Sequence, residues 1–314
     1  MRRASVLALG MLCLATLHAH QAAPPSTSVP TNAELDQIVT RFLENAATYK
    51  RTFRNLVAEE TKVAEQLKPS GQVSKRREIV SDLVVYQPLK DPSAEAVEYR
   101  DVRAVDGKPV KGRSARALDV LQRASQATSL KRELEIIDRE NQRYELNLRI
   151  VDAVINQAGG DGQKFRDTHR IDWVGRDRVD GHDVVVLDYR ETTPRPESRR
   201  FFTDMGITAM FTRGRVWLDA TTLQLRRERW EVAGVHQSLP EPLLLMRKDA
   251  VYTESRFGIL TPQRLVGEWH QRTGGTKQKP SMTLTSRTTF SFSAFRQFEV
   301  TTDGALVPSG PQQK

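Results

Sequence analysis

The stretch GRVWLDATTLQLRRERWEV, residues 214–232, contains two β-type runs separated by a turn. The first run, Arg215 to Leu218, leads through Asp219-Ala220-Thr221-Thr222 into a second run from Leu223 to Val232. Asp and Thr favour turns because their side chains hydrogen-bond to nearby backbone groups. The stretch therefore predicts an antiparallel β-hairpin.

The residues that follow extend this pattern into a wide sheet. A second hairpin is predicted from Ala250 to Phe257 through residues 258–262 into Gln263 to Arg272. From Met282 to Val300 the even positions are mostly apolar, and the odd positions are polar apart from Phe295. Since alternate residues of a strand point to opposite faces, this alternation predicts an antiparallel sheet with one apolar face.

An irregular hairpin is predicted before these strands, from Phe165 to Tyr189. Asp180-Gly181 is typical of a two-residue turn. A regular ladder around that turn would place Trp173 opposite Asp188 instead of Leu187 or Tyr189. The apolar residues of the two strands would then lie on opposite faces of the hairpin. We therefore expect a β-bulge at or next to Gly175, where one extra residue restores the register.

The N-terminal half predicts a helix, three strands and a helical region. Thr31-Asn32-Ala33-Glu34 has the form of a capping box. An amphipathic stripe follows it: Leu35, Ile38, Val39, Phe42, Leu43 and Ala46. Residues 53–67 fit either a continued helix or a strand, and we expect a strand. Residues 76–86 and 97–105 predict strands, the latter turning at residues 106–107, and residues 114–158 predict helices that end at the glycines of 159–162.

The first residues predict export. Arg2 and Arg3 precede a run of fourteen mostly apolar residues from Ala4 to Leu17, which is shorter than the roughly twenty needed to span a membrane. This pattern is typical of a signal peptide, here residues 1–22, followed by a linker over residues 23–30. We expect a mature protein in the periplasm or outside the cell, with one domain over residues 31–302 and a disordered tail over residues 303–314. The only Cys, Cys13, lies in the signal peptide.

The composition indicates a soluble, basic protein. Lys and Arg number 48 against 39 Asp and Glu, a formal charge of +9, and the mean hydropathy is −0.52. These values exclude a polytopic membrane protein and a wholly disordered chain. The clustered arginines have two interpretations: they form solvated surface, or they bind an anionic membrane surface. The predicted export argues against nucleic acid as a binding partner. The candidates for an anionic surface are Arg76, Arg77, Arg199, Arg200, Arg226 and Arg227.

Catalytic motifs are absent from the sequence. It contains no Gly-x-Ser-x-Gly and no His-Glu-x-x-His, and no His pair has the spacing of a metal site. We interpret His169 as a hydrogen-bonded, half-buried residue. Glu59 and Glu60 are adjacent and would point to opposite faces of a strand, so we interpret them as charged edge residues. We predict no enzyme, no cofactor and no metal.

The order of these elements resembles that of the LolA-like group of periplasmic lipoprotein carriers. The resemblance is carried by residues 214–232, by FGILTPQRLVGEW (257–269), and more broadly by residues 165–300. Four further segments are similar to segments of a set of exported acidobacterial proteins. They are SDLVVYQP (81–88), YRDVRAVDGKPVKGR (99–113), RENQRYELN (139–147) and FSAFRQFEV (292–300). The resemblance implies an α+β fold: a curved antiparallel sheet, an incomplete β-barrel, with an N-terminal helix and a helical insertion over residues 114–158 covering one face.

The same resemblance implies a cavity for a hydrophobic ligand. A curved sheet with an apolar concave face must be filled by its own helices or must hold a ligand. The preferred function is therefore a carrier of a lipid or of the acyl chain of a lipidated protein in the bacterial envelope. The alternatives are a self-packed module that binds a protein or an anionic polymer through its basic surface, and a hydrolase with a dispersed active site. The cavity candidates are Trp173, Leu187, Val216, Leu218, Leu284, Phe290 and Phe292.

Overall fold

The computed structural model describes residues 29–91, 93–146, 154–300 and 306–308. The predicted signal peptide and most of the predicted linker lie outside these ranges. Within the segment predicted as a disordered tail, residues 306–308 form a short strand. The helices are α1 (Asn32–Phe53), α2 (Arg113–Ser125), α3 (Leu130–Gln142), α4 (Gln163–Thr168) and α5 (Arg200–Thr203). The strands are β1 (Leu56–Leu67), β2 (Val73–Tyr86), β3 (Val97–Val105), β4 (Lys108–Pro109), β5 (His169–Val179), β6 (His182–Glu191), β7 (Arg195–Pro196), β8 (Ile207–Asp219), β9 (Leu225–His236), β10 (Leu243–Thr253), β11 (Thr261–Gly275), β12 (Pro280–Val300) and β13 (Leu306–Pro308).

Helix α1 begins at the capping box that the sequence predicts. The Thr31 hydroxyl accepts a hydrogen bond from the Glu34 amide at 3.3 Å, and the Glu34 carboxylate accepts one from the Thr31 amide at 2.7 Å. These bonds satisfy backbone donors that have no partner within the helix. The apolar stripe then places Val39, Phe42 and Ala46 in the interior.

The strands form one antiparallel sheet in the order β4-β3-β2-β1-β12-β11-β10-β9-β8-β6-β5, with β13 beside β12 and β7 beside β8. The hairpins predicted at residues 106–107, 219–222 and 258–262 are confirmed. Strand β1 pairs on one side with β12, from the other end of the chain. This long-range pairing makes β1 an interior strand, and it confirms the prediction of a strand within residues 53–67.

The predicted bulge in the hairpin of β5 and β6 is also confirmed. The register is regular from the turn to Gly175, which faces Val186, but Trp173 then faces Leu187. Val174 is therefore the extra residue on β5. Gly175 has a φ of +152°, which a residue without a Cβ adopts at low cost.

Strand β5 begins at His169, and the prediction of a strand from Phe165 is wrong. Phe165 lies in α4, where its ring meets Phe42 of α1 edge-on at a centroid distance of 6.4 Å. It also meets Tyr189 of β6 at 5.2 Å. The helical turn keeps this ring between α1 and the sheet, a tertiary contact that strand periodicity does not report.

The inner face of the sheet, defined as the face that α1 covers, is concave. The amides of Val154 and Ile155 donate to the Glu98 carboxylate on β3, and Gly159 lines a cleft together with Tyr189 on β6. In a flat sheet, β3 and β6 would be eight intervals of about 4.8 Å, or about 38 Å, apart. The four residue-to-residue steps from Ile155 to Gly159 span at most about 14 Å. The sheet therefore curls, and its two sides approach each other around this segment.

Helices α2 and α3 pack on the outer face of β2 and β3, opposite to α1. Leu83 of β2 belongs to the core beneath α1, whereas Tyr86 and Tyr99 pack in a separate core on the outer face, with Val120 of α2 and Ile137 of α3. The prediction that the N-terminal helix and the helical insertion cover one face is therefore corrected for α2 and α3. Periodicity identifies the apolar stripe of a helix but not the sheet face that it meets.

The helical region predicted over residues 114–158 includes residues 147–153, which lie outside the described residues. Among the helices that the structure describes, none is both long enough and apolar enough to cross a membrane.

Candidate functional site

Most residues predicted to line a cavity lie in the main hydrophobic core instead. Trp173 is partly buried against this core, and Leu284 is partly buried opposite His270. The enclosed space beneath α1, beside Phe42 and Tyr49, measures about 10 Å³, room for about one water molecule. The chain's own side chains therefore fill this part of the concave face. The predicted cavity residues buried in that core are Leu187, Val216, Leu218, Phe290 and Phe292.

A second core closes the other end of the inner face. Phe202 of α5 and the neighbouring Met205 and Ile207 pack there against Val232 of β9 and Leu245 of β10. Between the two cores, the register aligns one row of inner-face residues: Gly267, Lys248, Trp230, Gly214 and Tyr189. The Tyr189 side chain lies over Gly214, where an added Cβ would come within 2.4 Å of its hydroxyl.

An open cleft of about 350 Å³ is lined by three residues of this row, Tyr189, Trp230 and Lys248. Its walls combine aromatic rings with the loop that follows Ile155. The Phe165 and His169 rings are stacked with centroids 4.3 Å apart. The remaining lining residues are Glu95, Asn156, Gln157, Ala158, Gly159, Gly160, Asp161, Tyr189, Thr212, Glu228, Trp230 and Lys248.

The floor of the cleft carries a buried ion pair. Glu228 is 1% exposed and Lys248 is 6% exposed, and Glu228 Oε2 lies 3.3 Å from Lys248 Nζ. Cross-strand pairing sets their positions, since Glu228 faces Ala250 and Lys248 faces Trp230 across β9 and β10. Oppositely charged partners reduce the cost of burying both groups.

The Tyr189 hydroxyl is beside this pair. Tyr189 is 3% exposed, and its hydroxyl makes no hydrogen bond of normal geometry. Burial raises the pKa of Tyr189 well above 10, and the nearby Glu228 carboxylate raises it further. The hydroxyl is therefore a neutral polar group on the floor of the cleft.

His169 has the structural role that the sequence predicts. Its Nε2 lies 3.1 Å from Thr212 Oγ1, and its Nδ1 lies 3.0 Å from the Phe165 carbonyl oxygen. Both ring nitrogens are thus within hydrogen-bonding distance of protein groups, and the ring is half-buried. This arrangement holds α4 beside the start of β5.

Glu59 and Glu60 point to opposite faces as predicted, but their interpretation as edge residues is wrong. Glu59 pairs with Arg103 at 3.0 Å. Glu60 is 0% exposed and accepts two hydrogen bonds from the Arg100 guanidinium, at 2.8 and 3.0 Å. Arg100 also bonds Glu98 at 2.9 Å. Because β12 pairs with the edge of β1 that β2 leaves open, β1 is an interior strand and Glu60 is buried. A buried carboxylate needs a partner of opposite charge, which Arg100 supplies.

The six arginines predicted as an anionic surface are not brought together. Arg76 and Arg77 are adjacent on β2 and so point to opposite faces, Arg199 and Arg200 lie at the start of α5, and Arg226 is buried. Every one lies within 4 Å of a carboxylate. The pairs are Arg76–Glu78 (3.0 Å), Arg77–Asp106 (3.7 Å), Arg199–Glu197 (2.6 Å), Arg200–Asp204 (3.6 Å), Arg226–Asp219 (2.7 Å) and Arg227–Asp249 (3.4 Å).

The outer face carries a row of charges that sequence reasoning missed. Cross-strand register aligns eight residues on eight neighbouring strands, from β6 to β2. In order they are Arg190, Arg213, Glu231, Arg247, Glu268, Arg287, Glu65 and Arg76. Glu231 bonds both Arg213 and Arg247 at 2.9 Å. Most positive charge on this face is therefore balanced within the sheet.

Within the described ranges, no three His, Cys, Asp or Glu side chains are grouped as a metal site requires. The sequence analysis also missed Glu228 and Lys248. A signal for Glu228 was present, since it shares the parity of Trp230 and Val232 on β9.

No protein-family model matches the chain, and no curated protein matches it. Three crystal structures are similar to it. A DUF1329 family protein from Desulfovibrio piger has 11% identity and a TM-score of 0.31, with 82% of this chain and 92% of that chain covered. A domain named for outer membrane lipoprotein sorting, from Vibrio parahaemolyticus, has 12% identity and a TM-score of 0.31, with 81% and 91% covered.

The third structure is a LolA superfamily protein from Nitrosomonas europaea. It has 12% identity and a TM-score of 0.33, with 83% of this chain and 94% of that chain covered. Its name is that of the group which the sequence resembles. The resemblance to acidobacterial proteins stays a prediction. With TM-scores below 0.5, these similarities do not indicate a function.

Proposed function

We propose that the chain is an exported protein that binds and carries a hydrophobic moiety, such as a lipid or a lipoprotein acyl chain, in the cleft of the concave face. The signal peptide expected at residues 1–22 and a periplasmic or extracellular location belong to this proposal. The observation that carries it is the cleft, which lies between two filled cores. Its volume of about 350 Å³ falls in the range of small-molecule sites, roughly 300–1,000 Å³.

The apolar walls provide a driving force for binding. Burying one methylene contributes about 0.8 kcal/mol, so a segment of about eight methylenes contributes roughly 6 kcal/mol. Micromolar affinity corresponds to about 8 kcal/mol. An acyl chain in this cleft therefore needs a further contact to bind tightly.

Native mass spectrometry of the purified protein, followed by uptake of a fluorescent fatty probe, tests the proposal. We expect copurified acyl species and saturable uptake. Asn156 lines the cleft, so Asn156→Trp should block it and weaken probe binding at least tenfold. Asn55 lines a second open cleft, of about 450 Å³ and with a largely polar lining, beside Arg51 and Arg256. Asn55→Trp is the matched control and should leave uptake unchanged.

Two outcomes contradict the proposal. One is protein without acyl species that also takes up no probe. The other is uptake lost in Asn55→Trp but retained in Asn156→Trp, which would move the site to the second cleft.

The alternative is a self-packed module that binds a protein or an anionic polymer through its basic surface. The filled core beneath α1 favours it. The carboxylate within 4 Å of each candidate arginine disfavours it, because little positive charge remains unbalanced. Salt-sensitive binding to anionic liposomes without any acyl uptake would favour this alternative.

A further inference from the structure

We propose that the floor of the cleft recognises a neutral head group that both donates and accepts a hydrogen bond, a hydroxyl or a primary amide, through Glu228 and Tyr189. This inference rests on the proposed function and specifies which amphiphiles the cleft selects.

Two buried polar atoms on the floor lack hydrogen-bond partners. The Glu228 carboxylate lies beside both the Lys248 ammonium and the Tyr189 hydroxyl, but neither Glu228 Oε2 nor the Tyr189 hydroxyl makes a hydrogen bond of normal geometry. Both residues are more than nine-tenths buried and both line the cleft. Buried polar groups without partners are rare because each costs about 1–3 kcal/mol. A ligand that satisfies both atoms recovers this cost on binding.

The chemistry of the two atoms specifies the head group. An ionised carboxylate only accepts hydrogen bonds, so Glu228 needs a donor from the ligand. The Tyr189 hydroxyl stays neutral and can donate to a ligand oxygen. A hydroxyl or a primary amide supplies both groups at once. An ester supplies only the acceptor and leaves Glu228 without a donor.

The charges around the cleft disfavour an anionic head group. Lys248 is the lysine of the lining, and Glu228 already pairs with it. Glu95 and Asp161 add two carboxylates to the lining, with Glu95 bonded to Lys50 at 2.6 Å. A fatty-acid carboxylate would therefore meet mostly negative neighbours when it reaches Glu228.

Four probes with the same twelve-carbon chain test this inference by calorimetry at pH 7.5: dodecanol, lauramide, methyl laurate and laurate. We expect dodecanol and lauramide to bind about tenfold more tightly than methyl laurate and laurate, a factor typical of one hydrogen bond to a charged group. Tyr189→Phe should reduce this preference to about threefold or less. Its melting temperature should change little, because the hydroxyl it loses makes no hydrogen bond of normal geometry. Tyr99→Phe is the matched control, a buried tyrosine packed beneath α2 and α3 on the outer face that does not line the cleft, and it should keep the tenfold preference.

The outcomes separate this inference from the proposed function. Equal affinity for the four probes, or a preference that survives in Tyr189→Phe, overturns the inference and leaves the carrier proposal standing. Absence of binding by every probe overturns both.

Discussion

The carboxylate of Glu133 holds α3 against the end of β2, and its removal tests the packing of the helical region. Glu133 is 0% exposed. It accepts hydrogen bonds from the Tyr86 hydroxyl at 2.6 Å and from the amides of Leu89 and Lys90 at 2.6 and 2.9 Å. Burial acts to raise the pKa of Glu133, but these hydrogen bonds outweigh it and hold the pKa below 4.5.

Glu133→Ala removes the acceptor of three hydrogen bonds at once. Each bond contributes about 1–1.5 kcal/mol net, so we expect the free energy of unfolding at pH 7 to fall by about 3–5 kcal/mol. Urea denaturation followed by far-UV circular dichroism measures this change. Glu135→Ala is the matched control on the same helix. Glu135 is exposed and pairs with Arg132 at 3.3 Å, so its loss should cost less than about 0.5 kcal/mol.

The pH dependence of Glu133→Gln gives an independent test. A carboxyl whose pKa is lower in the folded state stabilises the protein above its unfolded pKa, and this contribution disappears as the pH falls through the folded pKa. The difference in unfolding free energy between wild type and Glu133→Gln should therefore be largest at neutral pH and should shrink below pH 4.5. A loss of less than 1 kcal/mol in Glu133→Ala, or a difference that does not shrink in acid, would refute this reasoning.

Two further substitutions test the sheet. A Cβ at Gly214 would lie 2.2 Å from the backbone oxygen of Arg229, so Gly214→Ala should lower the free energy of unfolding by about 3 kcal/mol or more. The control is Gly274→Ala, whose Cβ would have no neighbour closer than 3.8 Å. Equal losses in thermal or urea unfolding would contradict the packing of β8. Arg100→Met should cost about 3–5 kcal/mol by urea unfolding because it removes a guanidinium that bonds two buried carboxylates, Glu60 and Glu98, and a neutral effect would show that this arginine is not needed for stability.

The features that were predicted correctly from the sequence depend on residues that are close together in the chain. The capping box depends on Thr31 and Glu34, three residues apart. The bulge beside Gly175 follows from one turn and from the apolar alternation of its two strands. These signals are local, so they can be interpreted without knowing where the rest of the chain lies.

The candidate site could not be located in the same way. The predicted cavity residues were correctly placed on apolar strand faces, but periodicity does not show that α1 fills the space above them. The open space lies instead beside Tyr189, Trp230 and Lys248, which belong to one row of the inner face. Five separate strands contribute that row, and their register depends on the whole sheet.

Local patterns in the chain specify the strands, most turns, the first helix and the apolar alternation, because backbone preferences and side-chain periodicity act over a few residues. Which side chains lose contact with water depends on how distant segments pack. Glu60 is buried because β12, from the other end of the chain, pairs with β1. Glu228 and Lys248 form the floor of a cleft because the sheet curls around the segment after Val154. Burial depends on contacts between segments that are distant in the chain, and this long-range packing sets the surroundings of each charge.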